Sequence, residues 1–100
     1  MPKSWNELKA KRLDAMSTDE RAEYDRAYAA ATLAAEVGER VREAREAAGL
    51  SQRELARRMG TSQAAVDRLE AGGVGATLTT LQRVASALGL EVNVELRRSA

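Results

Sequence analysis

The chain has 100 residues, 16 Lys and Arg against 15 Asp and Glu, a formal net charge of +1, and neither cysteine nor histidine. That length suits one small domain with an appendage, at the low end for burying a core, so self-association would help it. Without cysteine or histidine there is no disulfide framework, no thiol chemistry and neither the commonest general base nor the commonest metal ligand, so no enzyme, metal or cofactor is expected.

No apolar run approaches membrane-span length and MPKSWNELKAKR lacks a signal-peptide core, which points to a cytoplasmic protein. Near-neutral charge counts against a non-specific DNA coat, though not against a specific reader with basic residues on one face.

Ser4-Trp5-Asn6-Glu7 is a capping-box pattern and predicts a short helix to about Ala15, with Trp5, Leu8 and Leu13 as its apolar residues. After the break at Met16, Ser17 or Thr18 caps a second helix from about Asp19 to Leu33. The next helical stretch, about Thr32 to Ala48, carries Leu33, Val37, Val41 and Ala44 at helical spacing. The second helix can continue without interruption into this one, and Gly38 is the only soft spot between them.

The most informative stretch is Gln52 to Ala71, QRELARRMGTSQAAVDRLEA. Ser51 and Glu54 form a capping box, and Leu50 is placed to staple the entry. Leu55, Ala56 and Met59 face one way, and Gly60 supplies a left-handed stop. Ser62 caps a second helix starting at Gln63, with Val66 and Leu69 inward. Two short helices this close need a small residue where they touch, which Ala56 provides.

This is the pattern of a helix-turn-helix, whose second helix lies in the major groove. Its exposed side carries Thr61, Ser62, Gln63, Ala64, Asp67 and Arg68. Gln63 suits a bidentate contact to adenine, Arg68 to guanine, and Ala64 a thymine methyl. Gln52 and the first amides of the preceding helix would face a phosphate, with Arg53 and Arg57 adding backbone contacts.

Gly72-Gly73-Val74-Gly75 reads as a flexible loop. Without a following Lys-Ser/Thr it is no nucleotide loop. Thr77 caps a helix from Leu78 to about Leu88, with Leu78, Leu81, Val84 and Leu88 inward and Gly89 ending it. The period then changes: Leu90, Val92, Val94 and Leu96 alternate with Glu91, Asn93, Glu95 and Arg97, as in a half-buried strand. A lone strand needs a partner, and the same strand of a second copy across a two-fold axis is the economical one.

From about Val37 to Leu90 the chain resembles the phage-repressor-like (Xre) helix-turn-helix family. The resemblance is carried by VGERVREAREAAGLSQ, Ala56, Gly60, Val66, Leu69, Glu70 and TLTTLQRVASALGL. It implies an all-α, five-helix repressor-like fold, with the helix-turn-helix DNA-binding domain at 33–89 and an N-terminal helical extension at 1–32. A C-terminal strand and tail at 90–100 would pair across a homodimer. It also implies double-stranded operator DNA as partner, with Gln52, Ser62, Gln63, Ala64 and Arg68 at contacting positions. Where the family often has polar residues, this chain has Ala64 and Ala71.

The extension holds every aromatic residue: Trp5, Tyr24 and Tyr28. Tyr24 and Tyr28 share one helical face, and aromatic anchors on helices are frequent at interfaces. With LDAMSTDERAEYDRAY, the chain is similar to HigA-type antitoxins of type II toxin–antitoxin modules. That likeness implies an antitoxin and autorepressor whose N-terminal helices bind a RelE/HigB-like mRNA interferase through Trp5, Leu8, Tyr24 and Tyr28. A free-standing Xre-type repressor without a toxin is the alternative. A structural adaptor that binds no specific DNA is a third possibility, from another class.

Overall fold

The computed structural model describes residues 4–73 and 76–99. Among them are five α-helices and no strand: α1 (Trp5–Asp14), α2 (Thr18–Ala47), α3 (Gln52–Met59), α4 (Gln63–Glu70) and α5 (Leu78–Leu88). The chain divides into two compact units, Met1–Thr32 and Leu33–Ala100. Val74 and Gly75, expected in a flexible loop, lie outside the described residues.

Every helix begins at a short hydroxyl side chain that takes up one of the amides a helix N-terminus leaves unpaired. Ser4 Oγ accepts from the Glu7 amide and Ser17 Oγ from the Glu20 amide, each at 3.2 Å. Ser51 accepts from the Glu54 amide at 3.0 Å, and Ser62 and Thr77 cap α4 and α5 at 3.1 Å each. The Ser51–Glu54 box forms only this half. The Glu54 carboxylate is held by Arg57 and Arg58, because a guanidinium one turn on is a stronger partner than a backbone amide. At Gly60 the backbone turns left-handed, φ 71°, and closes α3 tightly enough for α4 to begin at Gln63.

The second unit has one apolar cluster, drawn from all its helices. Val41 of α2, Leu55 and Ala56 of α3, Val66 and Leu69 of α4 and Val84 of α5 are buried, with Met59, Leu81 and Leu88 packed against them. Leu55 and Val66 are the most enclosed. Each contributes roughly 1.5–3 kcal/mol relative to exposure. α3 packs on both α4 and α5, and Ala56, only 3% exposed, is the small residue buried on α3.

The five expected helices are present, and the structure corrects the expected architecture in two places. The second unit has α3, α4, α5 and the part of α2 from Leu33 to Ala47, and α2 runs on because nothing between Thr32 and Val37 stops a helix. One glycine costs about 1 kcal/mol, too little to break a helix flanked by strong formers.

First, Gly38 is not a soft spot. It is buried, and its missing Cβ makes room for the Leu69 and Glu70 carbonyls of α4. Second, residues 90–99 form no strand, since among the described residues no other segment pairs with them. Two expected core residues also face out. Leu33, one turn before Val37, is 61% exposed and Leu78, the first residue of α5, is 70% exposed.

The first unit is thin. α1 buries no residue. The Tyr24 and Tyr28 rings stack with centroids 6.3 Å apart, and Lys9 Nζ lies 4.8 Å over the Tyr28 ring.

Candidate nucleic-acid interface

The α3–turn–α4 segment presents an exposed face made of Thr61, Ser62, Gln63, Ala64, Asp67 and Arg68. All six are among the residues expected to contact DNA, and the short turn places them together. The opposite side of α4 is pinned. Val66 and Leu69 are buried, and Glu70 at the last position carries a side chain only 4% exposed.

Glu70 receives a two-pronged ion pair from Arg45 of α2: Arg45 Nε donates to Oε2 at 2.7 Å and Nη2 to Oε1 at 2.9 Å. Arg45 Nη1 also donates to the Leu50 carbonyl at 2.8 Å. Planar guanidinium and carboxylate fit each other in this fork, which fixes orientation as well as charge. Burial pushes the Glu70 carboxyl up, but hydrogen bonds from Arg45 and Gln52, together with the charges of Arg45 and Arg42, outweigh it and hold the group below its ordinary value. The bond to Glu70 raises Arg45 in turn. Glu70 is therefore a helix-pairing residue that locks α4 to α2, and it faces away from the exposed side.

Gln52 stands at the start of α3 but does not offer its side-chain amide to solvent. Nε2 donates to Asp67 Oδ1 at 3.3 Å and to Glu70 Oε1 at 3.2 Å, tying α3 to α4. Both amide hydrogens are thereby engaged. Ser62 Oγ accepts from the Ala65 amide, which leaves its own hydrogen free to donate.

Arg57 is exposed but bound to Glu54, and the hydrogen bond from Arg57 is the first cause of the lowered Glu54 carboxyl. Arg53 is exposed and in none of the ion pairs among the described residues. The side chains left free to reach a groove are thus Arg53, Thr61, Ser62, Gln63, Ala64 and Arg68. Sequence spacing gave no signal for the Arg45–Glu70 fork, whose members are 25 residues apart.

In the first unit, Trp5, Leu8 and Tyr24 line an apolar hollow. Trp5 is 72% and Tyr28 57% exposed, and Tyr24 is half-buried. In the second unit, Leu90, Val92 and Val94 line a hollow with Leu33, Val37 and Leu81, while Leu96 stands clear at 96% exposure. Among the described residues no helix is long and apolar enough to cross a membrane, and no cluster of His, Cys, Asp or Glu is arranged to hold a metal.

Residues 41–94 match the helix-turn-helix family. The restriction-modification controller protein C.AhdI from Aeromonas hydrophila has a similar solved structure. It is 34% identical, with a TM-score of 0.59, and the likeness covers 61% of this chain and 88% of that one. A search of curated proteins finds no match. The described turn geometry, the exposed polar start of α4 and these two likenesses agree, and the chain belongs to the Xre-like helix-turn-helix family of DNA-binding transcriptional regulators.

Proposed function

We propose that this protein acts in the cytoplasm as a homodimer that binds the operator of its own operon, placing α4 of each copy in successive major grooves. The carrying observation is the division of α4 into two sides. One is locked by Val66, Leu69 and the Arg45–Glu70 fork, and the other presents Gln63, Ala64 and Arg68 to solvent. A locked helix with a polar exposed start is what sequence reading requires, since base contacts depend on fixed register.

Arg53 and the first amides of α3 meet the backbone, and Gln63 reads an adenine. Thr61, Ser62 and Asp67 border that contact, and Gln52 and Arg57 shape it through the bonds they make inside the unit. Leu90, Val92, Val94 and Leu96 pair with their counterparts in the second copy and cover the exposed apolar side chains of the tail.

Footprinting of the DNA upstream of its gene tests this. Gln63→Ala should weaken binding by about 1–3 kcal/mol and relax preference at one base pair. Unchanged affinity and unchanged preference would refute the placement of α4.

The first unit binds a protein partner. Its exposed Trp5, Leu8 and Tyr28, with Tyr24, hold a RelE/HigB-like toxin, so that the protein is both antitoxin and autorepressor. Support comes from the concentration of aromatics on a unit with almost no core of its own. A second function has its own support, the likeness to a restriction-modification controller, in which case the operator governs restriction and modification genes and no toxin is bound. Trp5→Ala with Tyr28→Ala separates them. Loss of a co-purifying neighbouring gene product, with operator binding intact, supports the antitoxin; no such product in the wild type supports the controller.

A further inference from the structure

A polar hollow, of about 200 Å³, lies in the second unit between α4 and α5. Thr61 and Arg68 line it from the turn and α4, Thr80 and Arg83 from α5, and Val66 and Leu69 add an apolar part of its lining. No carboxylate lines it.

The contrast with nearby arginines is informative. Arg42, Arg45, Arg57 and Arg58 each hold a carboxylate. Arg68 and Arg83 are exposed and enter no ion pair among the described residues, although they border the same small space. Two like charges brought to one hollow repel each other unless an anion lies between them. Guanidinium groups fork onto phosphate oxygens, and threonine hydroxyls donate to the remaining ones. Thr80 Oγ1 already shares a hydrogen with Thr77 Oγ1 at 2.9 Å, which fixes its position at the start of α5.

We propose that this hollow is a phosphoryl site in which Arg68 and Arg83 hold one phosphate group with help from Thr61 and Thr80. On DNA the occupant is a backbone phosphate on the wall of the groove that α4 enters. Arg68 then positions the protein instead of reading a guanine, and Arg83 joins the interface from a helix outside the helix-turn-helix. The source of the phosphate rests on the DNA-binding function proposed above; the site itself does not.

The test uses the full chain in two arms. In the first, side-chain Nε–H resonances of the arginines are followed while inorganic phosphate is added. Arg68 and Arg83 should shift together and saturate, with Arg53 moving little. Equal, unsaturating shifts at all three overturn the site as an ordinary charged surface. In the second arm, binding to the DNA upstream of the gene is measured against salt.

Arg83→Ala should weaken binding to different sequences alike and reduce the slope of log K against log salt by about 1, while Arg83→Lys keeps most of the slope. An unchanged slope with Arg83→Ala overturns the backbone contact, as does a loss confined to one base pair on Arg68→Ala. Saturation by inorganic phosphate in a protein that binds no DNA would keep the site, overturn its DNA occupant and refute the DNA-binding function separately. Both arginines are exposed, so an unchanged melting curve for each variant distinguishes lost contacts from lost fold.

Discussion

Replacing Gly38 by alanine sets two effects of known size against each other. In an isolated helix the change stabilises by about 1 kcal/mol. Here an added Cβ would lie 2.5 Å from the Glu70 carbonyl oxygen, 2.6 Å from that of Leu69 and 2.9 Å from the Glu70 carbonyl carbon. All three are backbone atoms at the end of α4, with no rotamer to swing aside. Ordinary contact begins at 3.4 Å, so the end of α4 must retreat by about 1 Å.

Overpacking of this kind costs about 1–3 kcal/mol, and the same retreat stretches the Arg45–Glu70 fork, whose charged hydrogen bonds are worth about 1.5–3 kcal/mol. The sum exceeds the helix-propensity gain, and a net loss of about 1–4 kcal/mol is expected. At about 4–8 °C per kcal/mol for a domain of this size, the melting temperature should fall by roughly 4–32 °C. Thermal unfolding followed by circular dichroism measures it. A melting temperature equal to or above that of the wild type would show that α2 and α4 do not approach so closely, and would remove the account given for Gly38.

Three further outcomes are expected. Arg45→Met alone should destabilise by about 2–4 kcal/mol, because it leaves Glu70, with a side chain only 4% exposed, without its forked partner, whereas Arg45→Met with Glu70→Met should recover most of the loss; additive losses in urea unfolding would show that the pair is not coupled. The Glu70 carboxyl is held below its unfolded value, so its contribution is present above the ordinary carboxylate range and lost as pH falls through the depressed folded value. Urea titrations across acid pH should therefore show a steeper loss in the wild type than in Glu70→Gln, and identical slopes would count against it. Ending the chain after Gly89 should convert the protein to monomer in sedimentation and weaken operator binding, and a truncated chain that remains dimeric would move the dimer interface elsewhere.

Much of the fold was legible in the sequence because its signals are local. Ser51, Ser62 and Thr77 announce helix starts through bonds to amides three residues on, and Gly60 and Gly89 announce ends through a backbone angle that glycine adopts at little cost. Leu55, Val66, Leu69 and Val84 follow from period alone. The stripe failed at Leu33 and Leu78, because helical spacing marks a face without marking how far along the helix the core extends. The tail pattern from Leu90 to Leu96 describes a strand only if a second backbone is present, which one chain cannot supply.

The sequence by itself thus determined the helix-turn-helix and the residues on its exposed side, since both depend on neighbours three or four positions away. Tertiary structure decided which charges remain available to DNA. Glu54 occupies Arg57 locally, but Glu70 is paired with Arg45 and Gln52 is engaged by Asp67 and Glu70 only because three helices meet there. It also decided why Gly38 is glycine and brought Arg68 beside Arg83. Those relations depend on where helices cross, and packing between distant segments sets that distance, which no periodicity within a segment records.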